Sequence, residues 1–327
     1  METDKVAFKN ILMTGCCGFI GSNVINYLTI EHPTINFVNL DCLTYCGYLE
    51  NVTVRDNNNY HFVEGSICDM ELLKKIFREY SIDAVIHFAA ETHVDNSFEN
   101  SVHFVNTNII GTINLLECSR EFGVKKFIHV STDEVYGEIM FNSDKSTTDM
   151  KLDPTNPYSA SKAGAEYFVN VFSKCYGIPA IITRGNNVFG PRQYPEKIIP
   201  KFIKALLNNE KCTIHGNGQN TRNYIHTEDV AKAFEMMLFR GECGQVYNIG
   251  SSHEYSVIEI LKKLVKLIKN TDNYEEWMTY VQDRPFNDLR YAIDTDNLEK
   301  LGWSYNEDFD KCLVDTIEWY KHNNYFK

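Results

Sequence analysis

Thr14-Gly15-Cys16-Cys17-Gly18-Phe19-Ile20-Gly21, taken with its flanks, decides the fold. Ile11-Leu12-Met13 ahead of it is a short apolar run of strand type, and the residues from Phe19 towards Leu28 have helical spacing. A glycine-rich turn between a strand and a helix lets backbone N–H groups approach a pyrophosphate, whose charge the helix dipole favours. By itself such a turn can equally serve packing. The next strand, Ile35 to Leu40, closes on Asp41. A carboxylate there can accept both adenosine-ribose hydroxyls and would repel a 2′-phosphate. No Arg or Lys stands beside Asp41, so the expected cofactor is NAD and not NADP. The plainer alternative is an acid that merely ends a strand.

The rhythm continues outward from this unit. Tyr60 to Val63, Ala84 to Ala90, Lys126 to Ser131 and Ile178 to Thr183 read as strands. Ala84 to Ala90 is broken only by His87, as in a strand buried on both faces. Met70 to Tyr80, Val102 to Phe122 and Tyr158 to Tyr176 read as helices between them. Alternation of this kind predicts an α/β fold, a Rossmann-type doubly wound parallel sheet. From Asn186 the pattern breaks. Short strands (Cys212 to His215, Val246 to Ile249) mix with helices at Ile198 to Leu207, Glu228 to Phe239, Val257 to Ile268 and Asp308 to Tyr320. The expectation is a cofactor domain over 1–185 and a smaller mixed α/β C-terminal substrate lobe over 186–327, with some segments crossing between them. The polar stretch Glu138 to Asp153 reads as an exposed loop.

Bulk properties narrow the function. The 327 residues are 43% hydrophobic and 23% charged, with a formal charge of -12. An acidic surface of this kind disfavours nucleic acid and anionic membranes as partners. Met1 to Asn10 is polar and no run of eighteen apolar residues occurs, so a soluble cytoplasmic protein is expected. The ten cysteines are scattered without paired ligand spacing, which points to reduced thiols and no metal.

Two clusters carry chemistry. Tyr158-Ser159-Ala160-Ser161-Lys162 puts Tyr and Lys one helical turn apart on one face. A phenol near pKa 10 is a poor base, and an adjacent ammonium would stabilise its phenolate. The lysine could also bond the nicotinamide ribose. Such a pair arises by accident on helix surfaces, but here it follows a dinucleotide turn. Thr132-Asp133-Glu134 ends the strand begun at Lys126, where parallel sheets hold ligands. Thr132 can polarise a hydroxyl on its way to a carbonyl. Loop acids are commonly just solvated, yet a dehydration needs both an acid and a base.

The set Gly15 to Gly21, Ala89-Ala90-Glu91-Thr92-His93-Val94-Asp95, Thr132-Asp133-Glu134-Val135-Tyr136-Gly137 and Tyr158 to Lys162 closely resembles nucleotide-sugar 4,6-dehydratases of the dTDP-glucose type. Those enzymes belong to the extended short-chain dehydrogenase/reductase superfamily. The resemblance runs from about residue 10 to 303. Sugar-nucleotide 4-epimerases look similar elsewhere but lack the acid pair. Thr183-Arg184-Gly185-Asn186-Asn187-Val188, Lys162-Ala163-Gly164-Ala165-Glu166 and Arg284-Pro285-Phe286-Asn287-Asp288 look like the dehydratase domain of plant-type rhamnose synthases, which use UDP-glucose.

The resemblance implies a redox-neutral cycle on UDP-glucose, or on dTDP-glucose as the alternative. Tyr158 with Thr132 removes the C4 hydroxyl proton, Glu134 the C5 proton, and Asp133 protonates the departing C6 hydroxyl. Cofactor contacts fall on Gly15, Gly18, Phe19, Ile20, Gly21, Asp41, Ile67, Asp69, Ala89, Ala90, Thr107, Tyr158 and Lys162. Thr92 would meet the hexose, and Asn187, Lys197, Arg222, Arg284 and Asn287 the nucleotide and diphosphate. A homodimer through paired long helices and a separate downstream epimerase/reductase are further expectations. Two rivals are an epimerase or decarboxylase, which the acid pair opposes, and a non-catalytic NAD-binding regulator, which usually loses the Tyr or Lys.

Overall fold

A computed structural model describes residues 8–140, 143–282, 290–323 and 325. The first half runs β1 (Asn10–Thr14), α1 (Phe19–Glu31), β2 (Asn36–Asp41), β3 (Tyr60–Glu64), α2 (Met70–Tyr80), β4 (Ala84–His87), α3 (Val94–Glu99), α4 (Ser101–Phe104), α5 (Gly111–Phe122), β5 (Lys126–Thr132), α6 (Pro157–Tyr176) and β6 (Ala180–Gly185). Then follow β7 (Asn187–Phe189), α7 (Ile198–Leu207), β8 (Cys212–His215), β9 (Thr221–His226), α8 (Thr227–Arg240), β10 (Val246–Ile249), β11 (Glu254–Ser256), α9 (Val257–Lys269), β12 (Met278–Val281), α10 (Asp296–Glu299) and α11 (Phe309–His322).

Seven parallel strands form the central sheet in the order β10-β6-β5-β4-β1-β2-β3. Ile11, Leu12, Met13, Val85 and Ile86 are fully buried because helices cover both faces. The order reverses at β1, which pairs with β4 on one side and β2 on the other. A crevice therefore opens at the C-terminal ends of β1 and β4, where open α/β sheets take ligands. This is the Rossmann-type sheet expected from the sequence.

Two segments beyond residue 186 belong spatially with the first half. β10 extends the sheet through β6, and the α8 side chains Phe234, Met237 and Leu238 share one core with Val24, Ile25 and Leu28 of α1. These are the crossing segments. The remainder packs α7, α9 and α11 around Phe202, Leu261 and Leu313, beside the small sheets β11-β9-β7 and β12-β8. β7, β9, β11 and β12 escape the sequence reading because they are short and carry polar residues such as Thr221-Arg222-Asn223.

Two local expectations change. The stretch expected as one helix over 102–122 contains a π-helical turn at Val105–Ile110. Within it, Asn108 turns inward, its amide bonding the Glu91 backbone and the Ser161 hydroxyl. Residues 138–153 are not simply an exposed loop. Ser146 is buried, and its backbone bonds Ala292 and Asp294. The reason is that this segment covers the edge of the sheet beyond β6.

Candidate active site

Thr14 ends β1, and the chain turns at once into α1. Gly15 takes φ +74, and a Cβ on it would lie 2.6 Å from Ala89 Cα and N. A Cβ on Gly21 would stand 2.7 Å from the Gly15 carbonyl oxygen. The turn therefore packs tightly against the end of β4 only as glycine. β2 side chains hold its far side: Asn39 Oδ1 accepts from Cys16 N at 3.2 Å, and Asp41 Oδ2 from Cys17 N at 2.8 Å. Asp41 also accepts from Leu43 N at 2.9 Å. Burial raises its carboxyl above the usual range, and these N–H donors draw it back.

A cavity of about 390 Å³ runs from this turn to the ends of β5 and β6. Gly15, Gly18, Phe19, Ile20, Gly21, Asp41, Ile67, Ala89, Ala90 and Thr107 line its first part. Thr92, Thr132, Asp133, Glu134, Tyr158, Lys162, Asn187 and Lys197 line the rest. A glycine cradle at the N-terminus of α1, a carboxylate at the end of β2 and an elongated cavity fit NAD. Asp69 lies outside the lining. Its carboxylate accepts from Leu72 N at 3.0 Å and caps α2, a local task that Asp commonly performs. Arg222 is likewise outside it, over the Tyr291 ring at 5.0 Å, although its charge acts on Asp133. Arg284 and Asn287 fall outside the described residues.

The acid pair occupies a turn at the end of β5. Asp133 is 3% exposed, and Asn186 Nδ2 donates to its Oδ2 at 2.8 Å. Burial, opposed by that bond, raises its carboxyl to about 7. It can thus hold a proton near neutrality. Glu134 receives the Asn156 amide at 3.1 Å. The two neighbouring carboxyls therefore sit in different environments, the arrangement that separates an acid from a base.

Pro157 and the reciprocal capping of Asn156 and Ser159 start α6 in register, one residue before Tyr158. Lys162 Nζ donates to the Val130 carbonyl at 2.7 Å, and burial lowers it to about 8. The Tyr158 phenol is pushed up, first by burial and next by the Glu134 charge, while the Thr132 hydroxyl draws it down. The expected lowering by Lys162 does not operate in the protein alone, because the ammonium is engaged with the strand carbonyl.

Several lining groups escaped the sequence reading. Asn186 stands next to the predicted Asn187, and that adjacency was the available signal. Glu91 and Glu196 enter as histidine pairs, with His103 at 3.2 Å and His93 at 3.3 Å, which no sequence spacing announces. Arg184, read as part of a substrate-side segment, instead points into the core against Glu166. The reason is strand alternation: its neighbours Thr183 and Gly185 face the cavity.

Comparison with known proteins converges on one chemistry. The family model described as GDP-mannose 4,6 dehydratase matches residues 12–316. The chain is 44% identical to the dTDP-D-glucose 4,6-dehydratase of Dictyostelium discoideum, over 99% of this chain and 84% of that protein. It is 47% identical to a trifunctional UDP-glucose 4,6-dehydratase/UDP-4-keto-6-deoxy-D-glucose 3,5-epimerase/UDP-4-keto-L-rhamnose-reductase of Arabidopsis thaliana, over 96% of this chain and 47% of that protein. Its structure resembles the dTDP-glucose 4,6-dehydratase of Streptomyces venezuelae solved with NAD, with a TM-score of 0.91 at 36% identity, covering 97% of this chain and 98% of that one.

Proposed function

The chain belongs to the nucleotide-sugar 4,6-dehydratases of the extended short-chain dehydrogenase/reductase type, and from that membership we propose that it converts UDP-glucose to UDP-4-keto-6-deoxyglucose and water. As a member it is an NAD-dependent hydro-lyase. The observation that carries the mechanism is one cavity holding Tyr158, Thr132, Glu134 and a buried Asp133 whose carboxyl is raised to about 7.

Bound NAD supplies the acceptor and later the donor of the migrating hydride, together with positive charge near Tyr158. Tyr158 takes the proton from the C4 hydroxyl, and Thr132 steadies that oxygen as it becomes a carbonyl. The C4 ketone acidifies the C5 hydrogen, which Glu134 removes as base. Asp133 hands its proton to the C6 oxygen, which leaves as water. Glu134 then returns its proton to C5. The glycine turn and Asp41 hold the cofactor in place, so the ketone intermediates stay enclosed between turns of the cycle.

The choice of UDP rests on the cavity-lining Gly185-Asn186-Asn187 and on Arg284-Pro285-Phe286-Asn287, both of plant-synthase type. The second reading, dTDP-glucose, is favoured by the Dictyostelium relative. The substrates differ by the uridine 2′-hydroxyl and the thymine methyl. A missing methyl contact changes binding by about 1–3 kcal/mol, whereas a site built around a hydroxyl rejects its absence more strongly. Side-by-side turnover, scored as loss of one water by mass, should give a higher kcat/KM for UDP-glucose. Equal or better use of dTDP-glucose refutes the UDP assignment. The 4-keto product suits a following epimerase/reductase.

Val102, Tyr167 and Val171 are 68%, 58% and 50% exposed on α4 and α6. Such an apolar helical face supports a homodimer. Tyr167→Asp with Val171→Asp should yield a monomer in sedimentation, and an unchanged mass would remove this face from the interface.

A further inference from the structure

Arg184 and Glu166 are charged, buried side chains to which the reaction gives no task. Arg184 is 4% exposed and Glu166 fully buried. Arg184 Nε donates to both Glu166 carboxylate oxygens at 3.1 Å, and one terminal nitrogen to Oε2 at 2.7 Å. The other terminal nitrogen donates to the Tyr136 hydroxyl at 2.8 Å and the Thr148 carbonyl at 3.3 Å. Tyr136 in turn donates to Asn248 Oδ1 at 2.8 Å.

The network ties together the parts that carry the chemistry. Glu166 lies on α6, one turn beyond Lys162 and two beyond Tyr158. Tyr136 closes the turn that begins with Asp133 and Glu134. Arg184 stands on β6, two residues before Asn186, the donor to Asp133. A buried ion pair is a weak source of stability, because desolvation offsets most of the attraction and apolar replacements are often neutral or better. A guanidinium fork reading one carboxylate and one hydroxyl instead fixes geometry.

We propose that Glu166 and Arg184 are positioning residues of the reaction, holding the Tyr158–Lys162 helix in register with the Asp133–Glu134 turn through Tyr136. The inference rests on the dehydratase reading above. Electrostatics point the same way. The titratable groups acting on or acted on by Lys162 are His87 from β4, His129 from β5 and Glu166 from its own helix. Burial keeps both histidines uncharged, His87 at about 3. Burial lowers Lys162, and the Glu166 charge is what raises it again.

The test uses the double variant Glu166→Gln with Arg184→Met, which removes both charges and strands neither. Thermal unfolding, retained NAD, kcat and KM are measured. Lys162 is titrated independently of turnover, by peptide mass after brief reaction with a small amine reagent across pH. The expected result is a folded protein with KM within about threefold and kcat lower by roughly 10–100-fold. Lys162 should become reactive about one pH unit lower than in the wild type. Tyr136→Phe keeps the ring but cuts the tie to the acid turn. It should slow C5 hydrogen exchange and leave the Lys162 titration unmoved. A folded double variant with wild-type kcat and Lys162 titration overturns the proposal. So does a double variant that cannot fold, which would make the pair a stability element, and so does native C5 exchange in Tyr136→Phe. Failure of the dehydratase reading shows separately, as a wild-type protein that releases no water from either sugar nucleotide.

Discussion

Asn186→Leu should move the pH limit of the elimination step upward. Burial lifts the Asp133 carboxyl to about 7, and the Asn186 amide opposes it by donating at 2.8 Å to the ionised form. Leucine has a similar branched shape, and the other amide atom of Asn186, Oδ1, has no partner among the described residues. The substitution therefore removes essentially one charge-assisted bond. Such a bond contributes about 1.5–3 kcal/mol, and one pKa unit corresponds to about 1.36 kcal/mol. The carboxyl should rise by about 1–2 units, from about 7 towards about 8–9. The sign follows from the role. Asp133 must hold a proton to give it to the C6 oxygen, so wild-type elimination falls above about pH 7, and the variant keeps its rate further into the alkaline range. Rapid-quench mass analysis of the dehydrated sugar nucleotide over single turnovers, from about pH 6 to about pH 9, measures this limb. A limb that stays in place or moves down refutes Asp133 as the acid, or its control by Asn186.

Tyr158→Phe should keep NAD but lose the first oxidation, since the ring still packs and no oxygen accepts the C4 proton; near-normal accumulation of reduced cofactor in one turnover speaks against this base. Glu134→Gln should spare oxidation and slow C5 deuterium exchange by roughly 10²–10⁴-fold; native exchange would assign the C5 proton to another group. Gly15→Ala meets the Ala89 backbone at 2.6 Å with φ +74, so NAD content after gel filtration should collapse, with about 1–2 kcal/mol of left-handed strain added to the clash. Asp41→Ala should weaken NAD retention without making NADP a good cofactor, and NADP bound to the purified wild-type protein would contradict the carboxylate argument.

Much of the cofactor half was legible in the chain because its signals are local. The turn Gly15 to Gly21, the apolar strands and the Tyr158–Lys162 spacing each arise from neighbours within one or two turns of chain. Asp69 shows the limit of that logic: its position invited a ligand contact, yet the nearest backbone donor, Leu72 N, claims it. The finer substrate signal at Arg184 was misplaced for the same reason. Its sequence neighbours line the cavity, while its own side chain alternates to the opposite face.

The sequence by itself determined the parallel α/β rhythm, the dinucleotide turn, the NAD-favouring acid and the four groups able to move protons. Periodicity, glycine placement and residue chemistry are properties of short stretches. Only the tertiary structure decided that β10 and α8 return to the first half, because strand pairing and helix packing join residues far apart in the chain. The division of labour between two adjacent acids was likewise decided there. Asp133 is enclosed against Asn186 from β6 and Glu134 is met by Asn156, and burial, which no residue carries in its own side chain, separates the proton donor from the base.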